Sequence, residues 1–242
     1  MQGHTVKSFD ADLSELDQKI AEMGGHCERL LAEAFAALER RDPSRALAAT
    51  SADKTIDALD RELQDLAVLI IARRQPMAVD LRHVMTVIKI ASDLERIGDL
   101  AKNIAKRAVA VAHEAVPKSL LSGLGHMTDY ALSQLKDVLD AYAGRDADKA
   151  MDVWREDARL DMLYNSIFRE MLTYMMEDPR NITLCTHLLF GAKNLERIGD
   201  HTTNIAENVH FLVHGTMPDG TRPKSDDTSS LVVVPPRRGT AD

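Results

Sequence analysis

Cysteine is nearly missing from this chain: Cys27 and Cys185 stand apart, outside any paired or metal-ligating spacing. That excludes a disulfide-stapled scaffold and a thiolate zinc cluster, and it predicts two reduced thiols of a reducing compartment. Aromatic residues make up only 4% of 242 positions, with 12 Gly and 8 Pro, most of the prolines near expected element ends. An all-helical fold is the expectation from such a composition, rich in Ala, Leu, Asp, Arg and Met. The longest apolar run, Leu66 to Ala72, falls far short of the ~20 residues of a membrane span. The opening MQGHTVKSFDADLSELD contains no apolar stretch of signal-peptide length. A cytoplasmic protein is therefore expected, one that meets a membrane only through partners. No GxxxxGK[ST], GxGxxG, GxSxG or HExxH motif occurs, which removes the commonest nucleotide, hydrolase and zinc-protease signatures. The net charge of −8 argues against a nucleic-acid partner.

What the chain does contain is a duplication. ASDLERIGDLAKNIA at Ala91 to Ala105 returns as AKNLERIGDHTTNIA at Ala192 to Ala206, with ten of fifteen positions identical. Apolar residues recur at three- and four-residue steps around both copies, as on one face of a helix. The spacing predicts a first helix from about Asp12 to Arg40 and a second to about Arg74, with Ala46, Leu47, Ile56, Leu59, Leu63, Leu66 and Ile70 inward. A third runs from about Val79 to His113, with Leu81, Val84, Val87, Ile88, Ala91, Leu94, Ile97, Ala101 and Ile104 inward. Three more follow, ending near Ala143, Glu177 and His214. Asp42-Pro43 and Asp146 are start signals for the second helix of each unit, since Asp caps and Pro suits a first turn. Two tandem three-helix bundles result, residues 1–115 and 116–214, followed by a tail, 215–242, expected to be flexible from its Pro, Gly, Ser, Thr and charge content.

The repeated motif carries two acids four residues apart, Glu95 and Asp99, then Glu196 and Asp200. On a helix these pairs share one face and repel by a few tenths of a kcal/mol unless something cationic intervenes. The preceding helix carries its own pairs, Asp53 with Asp57 and Asp157 with Asp161. Helices joined by a short turn lie antiparallel, so residues equidistant from the turn are level. Asp57 and Glu95 share their midpoint with Asp53 and Asp99, at Pro76; Asp161 with Glu196 and Asp157 with Asp200 both centre between Asp178 and Pro179. Both hairpins therefore level two acids on one helix with two on the other. Divalent or trivalent cations would remove the repulsion, and oxygen-rich donors suit Mg, Mn, Ca or Fe, with Zn also accommodated where few nitrogens are present. The bland alternative puts these acids on outer faces, paired with Arg96, Lys102 and Arg197. Gly98 and Gly199, in helix interiors, point to close approach by a neighbour. His201 has Leu100 as its counterpart and is not expected to be a ligand. Asn103 and Asn204 read as surface or capping amides. Glu207 and His210 form the one Glu-x-x-His pair, where a di-iron bundle enzyme needs two.

ARRQPMAVDLRHVM at Ala72 to Met85 and the doubled LERIGD, set in two three-helix units, resemble the PhoU family over roughly residues 8 to 212. The resemblance implies two pseudo-symmetric three-helix bundles with multinuclear metal clusters held by the E/D-x-x-x-D motifs, here Glu95, Asp99, Glu196 and Asp200. It also implies a negative regulator of phosphate uptake that links the ATPase subunit of a phosphate ABC transporter to a sensor histidine kinase, and a homodimer. The competing class is a carboxylate-bridged metalloenzyme on a helical bundle, and a third is an inert helical scaffold.

Overall fold

The structure is a computed structural model that describes residues 7–220, with side chains from Phe9 onward. Helix α1 spans Lys7–Arg40, α2 Pro43–Arg74, α3 Val79–Val111, α4 Lys118–Gly144, α5 Ala147–Arg155, α6 Asp157–Glu177 and α7 Ile182–His214, the last preceded by a single 3-10 turn, Pro179–Asn181. α1 starts more than a turn before the expected Asp12. The tail beyond Gly220 lies outside the described residues.

The start signals act as their chemistry dictates. Asp42 accepts a hydrogen bond from the Arg45 backbone N–H at 3.0 Å with Pro43 in the first turn behind it, and Asp146 accepts from the Lys149 N–H at 2.9 Å. Each cap satisfies an N–H that has no partner inside the helix. Leu47 and Leu81, expected inward, lie on the surface. Leu47 follows Ala46, which takes the core-facing position, and a step of about 100° carries it out toward solvent. Leu81 stands in the first turn of α3, before Val84 and Val87 reach the core.

The expected fifth helix is two. At Glu156 the backbone turns to φ −84 and ψ 0, and its carbonyl accepts from the Arg159 N–H at 3.1 Å, a tight three-residue step. The Tyr130 hydroxyl, reaching across from α4, lies 3.1 Å from both the Glu156 carbonyl and its carboxylate. A donor supplied by a neighbouring helix thus competes for the carbonyl that a continuous helix would use. In the first repeat α2 passes the equivalent level unbroken.

The repeats are not beads on a string. α3 and α7 pack along each other as the most extensive helix pair, and buried residues of both repeats join one hydrophobic cluster. Their direction follows from contacts: Arg107 lies over the Phe190 ring, Asp93 meets His201 and Asn204, and Lys89 lies over Phe211. Rising numbers on one helix meet falling numbers on the other, so α3 and α7 are antiparallel. A second seam ties α1 to α4. There Asp17 accepts hydrogen bonds from the Tyr142 hydroxyl and from Arg145 at 2.8 Å, with His83 of α3 also at 2.7 Å.

Candidate functional site

α2 and α3 form the first hairpin, and its inward face carries the acids. Asp53 is 3% exposed although a carboxylate is costly to bury, and Asp57, Glu95 and Asp99 are half-buried around it. They feel each other's charge. Burial is the main cause that pushes the Glu95 carboxyl above its ordinary range; Arg96 opposes it, while Asp99, Asp60 and Asp57 add to it. Asp53 is raised as well, by burial first, with Asp57 and Asp99 contributing against the pull of Lys102. On this hairpin Asp53 is buried and the other three acids are half-buried, near enough for their charges to act on one another.

The bland alternative is nonetheless partly present. Lys102, three residues after Asp99, places Nζ 2.5 Å from Asp53 Oδ2 and 2.5 Å from Asp99 Oδ1, joining the two helices. Burial works to depress this ammonium, and the two carboxylates overcome it, so its pKa stands above the ordinary lysine value. Arg96 lies 3.4 Å from Glu95 on the solvent side. Gly98 makes room for this packing: a Cβ there would sit 2.9 Å from Ile56 Cδ1 and 3.2 Å from Asp53 Oδ1. At Gly199 the intruder is Leu160, 2.6 Å from the same hypothetical atom. The close approach inferred for both glycines is thus made by side chains of the partner helix.

In the second hairpin, α6 and α7, the acids are deeper. Asp157, Asp161 and Glu196 are all buried, with Asp200 half-buried beside them. Burial raises the Glu196 carboxyl; Lys193 opposes this, and Asp200 and Asp161 reinforce it. Lys193 Nζ lies 3.0 Å from Glu196 Oε1. Asp157 accepts a hydrogen bond at 3.0 Å from the hydroxyl of Thr203, the residue that corresponds to Lys102.

Among the described residues, three buried carboxylate oxygens have no hydrogen-bond partner: Asp53 Oδ1, Asp60 Oδ1 and Glu196 Oε2. Such groups cost about 1–3 kcal/mol each when nothing meets them. Among the described residues, no three His, Cys, Asp or Glu side chains are drawn together as a ready-made cage for an ion. The donor set itself fits a hard cation, being carboxylate throughout, with open buried oxygens and acids held above their ordinary range. Asp53, Asp57, Glu95 and Asp99, and Asp157, Asp161, Glu196 and Asp200, are the residues that would hold it.

Asp60 is not marked by the doubled acid pattern, because its counterpart in the second repeat is Tyr164. His201 and Asn204 serve elsewhere: both hold Asp93 across the α3–α7 seam, at 2.9 and 3.3 Å, so Asn204 is neither a surface nor a capping amide. Glu207 accepts from the Trp154 indole N–H at 3.0 Å, whereas His210 meets the Thr216 carbonyl at 3.0 Å, so the Glu-x-x-His pair does not converge. Cys27 donates to the Leu94 carbonyl, and burial raises its thiol pKa.

Comparison with known proteins agrees with this architecture. A phosphate-specific transport system accessory protein PhoU homolog of Rhizobium meliloti is 51% identical over 94% of this chain and 96% of its own length. A protein of the same description from Caulobacter vibrioides is 50% identical over 93% of this chain and 98% of its own. Among solved structures, PhoU from Pseudomonas aeruginosa superposes with a TM-score of 0.83 at 38% identity, covering 86% of this chain and all of that one (100%). The phosphate transport system regulatory protein PhoU from Streptococcus pneumoniae gives 0.77 at 29% identity, over 87% and 99%. The family pattern described as the PhoU domain matches twice, at residues 20–108 and 124–209. Each match holds one of the acid-bearing hairpins, and the chain belongs to the PhoU family.

Proposed function

We propose that this chain is a non-enzymatic, cytoplasmic negative regulator of phosphate uptake and of the phosphate-starvation response. Its relatives are described as accessory proteins of the phosphate-specific transport system, and this supports an accessory role for the chain beside such a transporter. Among the described residues, no helix is long and apolar enough to cross a membrane, so contact with the transporter runs through a partner surface. The ATPase subunit of the phosphate ABC transporter and a sensor histidine kinase are the two partners, with the chain as adaptor between them, acting as a homodimer. Iron, manganese, magnesium or zinc, held by the two acid clusters, supplies positive charge that fixes the spacing of each hairpin.

The observation that supports the metal reading is the burial of carboxylate oxygens without a hydrogen-bond partner in both repeats, Asp53 and Asp60 on α2 and Glu196 on α7. The residues themselves do no chemistry in this scheme: they bind, hold helix spacing, and present long outer faces for docking.

One strain series tests the whole proposal. Deleting the gene is expected to leave phosphate-starvation promoters on in phosphate-rich medium, with repression restored by the wild-type copy. Affinity capture of that copy should bring down the transporter ATPase subunit and the kinase. Protein carrying E95Q, D99N, E196Q and D200N should purify with less bound metal by elemental analysis. Promoters that stay off in the deletion strain overturn the regulatory role, and unchanged metal content removes these acids from the site.

A further inference from the structure

An acidic chain, of net charge −8, carries an apolar and basic surface at its first hairpin tip. Where α2 hands over to α3, Met77 is 80% exposed, and Val79, Leu81 and Met85 are exposed just after it. Val79, Arg82, Met85 and Lys89 follow at three- and four-residue steps, so they line one face of α3, apolar and basic in alternation. Arg73 stands exposed on the other side of the turn, while Asp80 is half-buried and already engaged. Apolar side chains gathered on a surface and rimmed by charge mark a place where something docks. The end of α7 delivers the chain to this spot. The ring of Phe211 lies 5.9 Å from the Arg82 guanidinium and 5.5 Å from Lys89 Nζ. At Gly215, the left-handed cap of α7, a Cβ would meet Arg82 Nη1 at 2.6 Å. Beyond Gly220 the sequence supplies two adjacent acids, Asp226 and Asp227, and then an unbroken apolar run from Leu231 to Val234.

We propose that the segment from Asp226 to Val234 of this same chain docks on the α2–α3 tip, its acids against Arg82 and Lys89 and its apolar run over Met77, Val79, Leu81 and Met85. Reach does not limit this. The chain from Gly220 to Leu231 can span up to about 40 Å, whereas Lys89 and Val79 are about 15 Å apart along α3. The order of the segment matches the order of the surface. The acids come first, where Arg82 and Lys89 stand beside the end of α7; the apolar residues come later, where Val79 and Met77 approach the turn. Arg237 and Arg238 follow beyond Pro235 and Pro236, outside the docking segment, so two basic groups are not driven together. A segment tethered this close is held at an effective concentration in the millimolar range, and contacts too weak to retain a free peptide suffice. The docking does not depend on metal at the acid clusters. A partner that uses this pole must displace the tail to reach it.

Methionines already in the chain make the test. The purified full chain is pulsed with dilute hydrogen peroxide, and oxidation of each methionine is followed by mass spectrometry. Met77 reports on the tip, while Met162 and Met176, 57% and 59% exposed on α6, report on open surface. In wild type Met77 is expected to oxidise about threefold more slowly than Met162 and Met176, although more of its own side chain faces outward on the helical body. L231D/V233D, which alters only the tail, should bring Met77 up to the rate of the other two and leave theirs unchanged. D226K/D227K should do so in part. A synthetic peptide of residues 222–238, added at millimolar concentration to L231D/V233D, should restore the protection. If Met77 oxidises as fast as Met162 and Met176 in wild type, or if its protection survives L231D/V233D, the docking is overturned. Protection that survives L231D/V233D and falls away on dilution assigns the tip to a second copy of the chain instead. Circular dichroism checks the fold, and a loss of helix in L231D/V233D shifts the decision to D226K/D227K, in which Met77 must likewise speed up.

Discussion

In the first repeat Asp53 sits in mid-helix beneath the Lys102 ammonium; in the second, its counterpart Asp157 opens α6 and takes a hydroxyl from Thr203. One chain thus neutralises the same buried acid in two physically different ways. The break at Glu156 is part of the second. It places Asp157 in a first turn, where free N–H groups and the helix dipole favour negative charge by roughly 0.3–1 kcal/mol, more when partly buried. A continuous α2 has no such terminus to offer Asp53, and a full positive charge stands there instead. Duplication has kept the acids and let their surroundings diverge.

The comparison can be broken most forcefully at the lysine. In metal-free buffer, K102M is expected to lower stability by about 2 kcal/mol, because two carboxylates lose a charged partner at once. T203V, at the same place in the other repeat, should cost less, about 1.5 kcal/mol, because its hydroxyl lies 3.0 Å from both the Asp157 carboxylate and the Gly199 carbonyl and donates to one at a time. Equal losses in thermal melts would mean that the two arrangements are energetically the same. Next in size is Y130F, which removes the donor aimed at Glu156. It should cost about 1 kcal/mol, felt as faster hydrogen exchange in α5 and α6 with α2 unaffected. Protection lost equally in both repeats would show that the break is not Tyr130's doing.

The smallest effect tests the seam between repeats. Burial alone would raise the Asp17 carboxyl, but His83, Tyr142 and Arg145 outweigh it, and its pKa is lowered. A lowered carboxyl contributes stability that is present above its unfolded value, about 3.9, and is lost as pH falls through the folded one. D17N should therefore melt below wild type at neutral pH, by no more than about 1 kcal/mol for so exposed a group. The gap should close below about pH 4. A gap that persists there would assign the loss to packing and not to charge.

Most of the helices were legible in the sequence because Leu16, Ile20, Met23 and their like recur with the helix period and the Asp42 and Asp146 caps announce each start. The levelling of Asp53, Asp57, Glu95 and Asp99 was legible too, since a short turn fixes register and Pro76 is the shared midpoint. What escaped depends on contacts distant in sequence. At the break, the Glu156 carbonyl accepts from the hydroxyl of Tyr130 on another helix, 26 residues earlier. Lys102 could be read as a surface partner of Asp99, but its reach to Asp53 needs α2 beside it. The α3–α7 seam is not marked by the repeat, because Asp93 has Asn194 and His201 has Leu100 as counterpart, and Asn204, though matched by Asn103, reaches an acid of the other copy.

Antiparallel packing of α3 on α7 has one more consequence. α3 is 33 residues long, about 50 Å at 1.5 Å per residue, and the turn at Pro76 lies at one end of it while the turn at Pro179 lies at the other. The molecule is a strut with a hairpin tip at each pole, and whatever grips both tips at once must itself bridge that span.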